Sequence, residues 1–255
     1  MINFSAPKTK TLLISNKGTA NDHPNLILQG QVIESVMTHK HLGIVLSHNL
    51  RWSAHINDIV AKCTKKINLM KKFKFELDRK SLETIYFSFI RPTMEYGDSL
   101  FAGTYDSDLC KLDRLQLDSM RIVTGATEKS NIALLYEDLN WSPLDVRRKT
   151  HCLTLMYKIL NGQTPDHLQT PIPNRQNDQG RHLRSVTRNL IPIPFARTET
   201  YRRSFIPNAI RLWNNLDQRI RASPSLEVFK GHFKTKPNDR TKLLYIGTLA
   251  IHSSC

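Results

Sequence analysis

The spacing of hydrophobic and polar positions changes period along this chain. Leu42, Ile44 and Leu46 alternate with Gly43, Val45 and Ser47, a period-two run that predicts a strand. Gly43 in mid-strand marks a bulge or a close approach by another backbone. Upstream, Thr11-Leu12-Leu13-Ile14 is β-prone, and Leu26-Ile27-Leu28 and Val32-Ile33 flank Gln29-Gly30-Gln31 as a hairpin. With residues 36–38 and the 42–46 strand these predict one small antiparallel sheet, which cannot bury itself and needs a covering layer.

From Trp52 the period becomes helical, with Ser53 placed to cap. Ile56, Ile59, Val60, Cys63, Ile67, Met70 and Phe73 fall on one stripe, while Lys62, Lys65, Lys66, Lys71, Lys72 and Lys74 lie largely off it. A second helix is predicted from Asp78 to Phe89, with Leu82, Ile85, Tyr86 and Phe89 inward and Pro92 ending or kinking it. A third runs from Asp108 to Val123, with Leu112, Leu115, Ser119 and Val123 inward and Gly125 as C-cap. Ser142 as N-cap and Pro143 at the first helical position open a fourth, ending at Asn161-Gly162, with Trp141 in the core. Arg147, Arg148 and Lys149 crowd the positive end of that helix, a placement that favours an anionic partner. Residues 163–197 hold five of the twelve prolines with Arg181, Arg184 and Arg188, and read as a basic linker or arm. Pro207 opens a short helix carrying Ile210 and Trp213, and Ser223-Pro224-Ser225 caps a last one with Leu226, Phe229 and Phe233. The predicted class is α+β, mostly α. Its segments are a β region at 1–50, a helical region at 51–162, the linker at 163–197, a helical block at 198–234 and a tail at 235–255.

Charge sharpens the picture. There are 37 Lys and Arg against 22 Asp and Glu, a net charge of +15 over 255 residues. Such an excess fits a polyanionic partner, nucleic acid being the usual one, or a solvated basic surface. The cysteines at 63, 110, 152 and 255 have neither zinc-ligand nor disulfide-framework spacing, and read as reduced, buried thiols of an intracellular protein, nuclear or cytoplasmic. No apolar run reaches the ~18–20 residues of a membrane span, so no membrane partner is expected. A Gly-x-Ser-x-Gly elbow, a P-loop and a His-Glu-x-x-His helix are all missing. No catalytic residue and no metal ligand is assigned.

The letters around the predicted strand carry a resemblance. Leu42-Gly43-Ile44-Val45-Leu46, then Leu50-Arg51-Trp52 and His55-Ile56, resembles the primer-grip motif of reverse transcriptases from LINE-type, jockey-like non-long-terminal-repeat retrotransposons. His41 departs from the pattern, standing where that family has Tyr or Phe. Further runs fit in order: Lys8-Thr9 before the first β-prone segment, Arg91-Pro92-Thr93-Met94-Glu95-Tyr96-Gly97, Leu112 to Gly125, and Thr198 to Leu216. The resemblance covers about residues 4–230.

It implies the C-terminal part of such an enzyme: the end of the palm, the primer grip, a helical thumb and a downstream region, with fingers and most of the palm upstream as partners. An RNA or DNA template–primer duplex would be the ligand, held by His41, Leu42 and Gly43 and by Lys62, Lys65, Lys66, Lys71 and Lys72, since lysines meet phosphates as sequence-blind point charges. Lys8 matches the family's lysine near the incoming nucleotide. The family's chemistry needs two metal-bound carboxylates, usually in an aromatic-x-Asp-Asp turn, and this sequence has no Asp-Asp pair. Mg²⁺ is therefore expected only with the full-length parent, no cofactor with this chain, and no activity from it alone. A free-standing basic nucleic-acid-binding module derived from such an element, or a decayed remnant, are the alternatives.

Overall fold

The computed structural model describes residues 5–15, 24–173 and 190–233. The architecture is α+β and mostly α: small two-stranded ladders at the N-terminal end, then helices to the end of the described chain. Arg181, Arg184 and Arg188 and the tail lie outside the described residues.

The predicted single antiparallel sheet is three separate ladders. Strand β1 (Lys10–Thr11) pairs in parallel with β4 (Glu34–Ser35), and a Lys10–Glu34 ion pair sits on the same rung. Strands β2 (Ile27–Leu28) and β3 (Gln31–Val32) form the predicted hairpin, with Gln29 and Gly30 both at positive φ as a two-residue turn requires. Strands β5 (Thr38–His41) and β6 (Ile44–Ser47) form the longest ladder, from Thr38 opposite Ser47 to His41 opposite Ile44. Its turn is Leu42-Gly43, at φ 46° and 83°. Gly43 is thus a turn residue, and the strand placed at 42–46 begins at Ile44. Glu34 and Ser35 are taken by β1, which prevents one continuous sheet.

Helix α1 (Ser53–Lys72) buries Ile56, Ile59, Cys63, Ile67 and Met70 as its spacing predicts; Phe73 lies just past its end and is exposed. Ser53 does not cap it: its hydroxyl donates instead to Asp108 Oδ2 at 2.6 Å. The next helix departs more. Helix α2 (Arg79–Ile85) passes into a π turn (Tyr86–Ile90) and then α3 (Arg91–Glu95), without a break. Pro92 therefore does not end it. The wide turn, in which the Arg91 amide donates to the Tyr86 carbonyl, makes room for a ring that cannot follow a tight helix. It also shifts the phase, so that Ile90 is buried and Phe89, expected inward, is 61% exposed.

Helix α4 (Asp98–Phe101) leads to α5 (Asp106–Thr124), which buries Leu112, Leu115, Ser119 and Val123 as expected and ends at Gly125. Helix α6 (Ile132–Leu139) was not announced by the pattern; Asn131 Oδ1 caps it by accepting from the Ala133 amide. Helix α7 (Leu144–Leu160) starts two residues after Ser142. The capping work falls to buried Gln116, whose Oε1 accepts from the Leu144 amide and whose Nε2 donates to the Ser142 carbonyl, both at 3.0 Å. Arg147, Arg148 and Lys149 are each paired internally, with Glu95, Asp113 and Asp145. The anionic partner inferred from their crowding is thus supplied by the chain itself.

Short helices α8 (Asp166–Gln169), α9 (Glu199–Arg202), α10 (Phe205–Asn214), α11 (Gln218–Arg221) and α12 (Leu226–Gly231) complete the described residues. Ser225 Oγ caps α12 as the sequence predicts. Two cores result. In the first, α1 packs on α5 and α2–α3, with Trp141 stacked on Tyr86 at 3.9 Å. In the second, Leu153, Met156 and Tyr157 of α7 meet Ile210, Trp213 and Phe229, with Ile191 held between. They share α7, whose Leu144 lies in the first and Val146 in the second, and meet again where Arg203 Nη1 donates to the Thr104 carbonyl at 3.2 Å and its guanidinium lies over the Tyr105 ring. Among the described residues no helix is long and apolar enough to cross a membrane.

Candidate nucleic-acid interface

The β5–β6 hairpin and α1 are stitched together. Lys40 of β5 and Lys62 of α1 share the Asp58 carboxylate, at 3.1 and 2.6 Å. The hydrogen bond from the Lys62 ammonium, more than that from Lys40, holds the Asp58 carboxyl below its ordinary range. On the other strand the Val45 amide donates to His55 Nδ1 at 3.3 Å. His55 is buried, its imidazole packed edge-on against Phe101 at 5.5 Å, and burial pushes its pKa below the usual 6.5. The ring is therefore held neutral, with Nδ1 as acceptor.

The hairpin turn is fixed from below. Tyr96 Oη donates to the Leu42 carbonyl at 2.8 Å, and a Cβ on Gly43 would meet the Tyr96 ring at 3.1 Å. Gly97 lies so close to Ile44 that its own Cβ would come within 2.8 Å of Ile44 Cδ1. The Leu-Gly run and the Glu-Tyr-Gly run, singled out separately in the sequence, thus meet in space. Leu42 itself projects, 78% exposed, and His41 is exposed beside it. Tyr96 was treated only as a landmark; its spacing to Gly43 carries no local signal of the contact.

The five lysines of α1 divide. Lys65 and Lys72, seven residues apart, share the strip opposite the buried stripe, and Lys71 flanks it. All three are exposed and without a hydrogen-bonding or charged partner among the described residues. Lys62 belongs to the Asp58 pair. Lys66 turns toward the π turn, where Nζ donates to the Phe89 carbonyl at 2.8 Å and to Thr93 Oγ1 at 2.7 Å. Lys8 is exposed on a single 3₁₀ turn (Ala6–Lys8) before β1. The strand carrying that turn reaches the β5–β6 ladder through the Ser15 amide on the His48 carbonyl.

Cys63 and Cys152 are buried and unpaired, and burial pushes their thiols up to about 11 and about 12, where they are poor nucleophiles and poor ligands. Cys110, expected as a buried reduced thiol, is half-buried and disulfide-bonded, which corrects that expectation; Cys255 lies outside the described residues. Among the described residues no group of three or more His, Cys, Asp or Glu side chains could hold a metal ion.

No family model matches the chain, and no solved structure matches it. Over 128 residues, 49% of its length, it is 27% identical to the RNA-directed DNA polymerase from the mobile element jockey of Drosophila melanogaster. The match spans 14% of that protein. Over about half its length, then, this chain is similar to a small part of a retrotransposon reverse transcriptase.

Proposed function

We propose that the chain is the template–primer-binding C-terminal part of a retrotransposon RNA-directed DNA polymerase, comprising the end of the palm, primer grip, thumb and downstream region, with fingers and palm supplied upstream in the parent. The observation that carries the reading is α1. One face is locked into a core, its first turns clasp a fixed hairpin turn, and Lys65, Lys71 and Lys72 remain free to meet phosphates. Leu42, Gly43 and His41 at the turn are the grip, and the duplex lies along the lysine strip. Lys62 and Lys66 support this surface chiefly by holding the hairpin and the π turn. Lys8 is the nucleotide-proximal lysine of the parent. Mg²⁺ chemistry belongs to the upstream carboxylates, because this sequence has no Asp-Asp pair. The setting is intracellular, nuclear or cytoplasmic.

The test is duplex binding by the whole chain across a salt series. A truncation after Gly162 is unsuitable, because it would uncover Leu153, Met156 and Tyr157. Replacing Lys65, Lys71 and Lys72 together by Gln is expected to lower the slope of log K against log salt by up to ~3, at ~0.9 per phosphate contact for B-form DNA. Lys66→Gln is expected to lower the melting temperature and leave the slope nearly unchanged. An unaltered slope in the triple variant would reduce the lysine strip to a solvated face and favour an inert remnant. Primer extension with Mg²⁺ or Mn²⁺ is expected to give no product; product above a no-protein control refutes the inactivity.

A further inference from the structure

A second basic surface lies along α7, on elements other than α1. Along one face of α7, Arg147, Thr150, His151, Thr154 and Lys158 line an open groove of about 820 Å³, which Lys230 of α12 also borders. At ~1.5 Å per residue the stripe from Arg147 to Lys158 runs ~16 Å. Among the described residues no Asp or Glu lines the groove. The nearby carboxylates are committed behind its wall. Glu95 takes both nitrogens of the Arg147 fork, and Asp98, nearly fully buried, holds His151 Nδ1 at 2.6 Å. That contact fixes the imidazole and leaves Nε2 as its remaining hydrogen-bonding nitrogen. Lys158 and Lys230 have no hydrogen-bonding or charged partner among the described residues. Leu155 and Phe233 add apolar surface.

We infer that this groove binds one strand of nucleic acid, a few nucleotides long. It is an open groove with apolar walls, which a strand with unpaired bases can use and a closed duplex, its bases paired inward, cannot. Two free ammonium groups and the Thr154 hydroxyl meet phosphates, the Thr150 hydroxyl being committed to the Val146 carbonyl, and the apolar walls take sugars or bases, the combination by which sequence-tolerant single-strand sites work. Nothing in the sequence joins Lys158 to Lys230; they come together only because α12 packs on α7 through Phe229 and Tyr157. The site is independent of the duplex contact proposed for α1, on different elements and different lysines.

The experiment uses the full chain with fluorescent dT20, rU20 and a 20-base-pair duplex, titrated over a salt series. For Lys158→Gln with Lys230→Gln, the first half-buried and the second exposed, single-strand affinity is expected to fall about tenfold at 0.1 M salt, and the single-strand slope by ~1.4, at ~0.7 per contact. Duplex affinity and slope are expected to stay as in the parent chain. The α1 triple variant is expected to do the reverse. An unchanged single-strand slope in the 158/230 variant, or an equal loss for both probes, overturns the assignment. Loss of duplex binding in the α1 variant alone bears only on the earlier reading.

Discussion

At the scale of single residues, Leu42 and His55 show what this surface costs. Leu42 sits at φ 46°, a region that non-glycine residues other than Asn and Asp seldom enter, and it is an apolar side chain held out in solvent. Asn-Gly is the favoured dipeptide for such a turn. Leu42→Asn is therefore expected to raise stability by about 0.5–1 kcal/mol in urea titrations while weakening duplex binding, the mark of strain retained for contact. Weaker folding in this variant would show that Leu42 packs usefully where it is. His55 makes stability depend on pH. It is kept neutral when folded, whereas the unfolded imidazole protonates below about 6.5. The folded state binds fewer protons at this site, so the His55 contribution to stability is flat above pH 6.5 and falls as pH drops below it, by at most ~1.4 kcal/mol per pH unit. His55→Gln retains an acceptor for the Val45 amide without a titration. The stability difference between parent and variant, followed from pH 7.5 to 5, is expected to show this slope; parallel curves would remove His55 from the account.

At the scale of elements, long-range side chains decide where helices begin, and this is where sequence reading loses its grip. Ser53 and Ser142 both carry sound capping signals, yet Asp108 captures the first hydroxyl and Gln116 does the work of the second. Gln116 also accepts from Tyr136 Oη at 3.0 Å, so one buried amide ties α5, α6 and the start of α7. Gln116→Leu would leave the Leu144 amide, the Tyr136 hydroxyl and the Ser142 carbonyl without this partner, at ~1–3 kcal/mol for each that stays dry. A loss of about 3 kcal/mol or more is expected by chemical denaturation, and a loss under 1 kcal/mol would mean that water replaces the amide. By contrast α1, α5 and the α12 cap were legible, because their stripes and caps depend only on spacing within a few residues. The hairpin turn was not, since Leu42 offers no turn chemistry of its own.

For the whole molecule, the two cores were only partly legible. Their stripes could be read, but not that α7 would face both, nor that Lys158 and Lys230 would border one groove. The cores share α7 and meet again where Gly103 packs beneath Arg203. A Cβ on Gly103 would lie 2.3 Å from the Arg203 carbonyl oxygen, a backbone atom that cannot rotate away. Gly103→Ala is expected to increase amide exchange of α10 near Asn208, which also lies 3.1 Å from that Cβ position, well before exchange in α1 and α5 rises. Uniform acceleration across the chain would instead mean that the cores open as one unit. The π turn has a consequence of another kind. Each residue added to or taken from a helix turns everything beyond it by about 100°. Deleting Phe89 would leave a more regular helix, and would swing Tyr96 off the Leu42 carbonyl and Gly97 off Ile44. The extra residue works like a vernier, spending local regularity on aim, and a family of chains that kept the hairpin contact could not lose it without gaining a residue again between Leu82 and Tyr96.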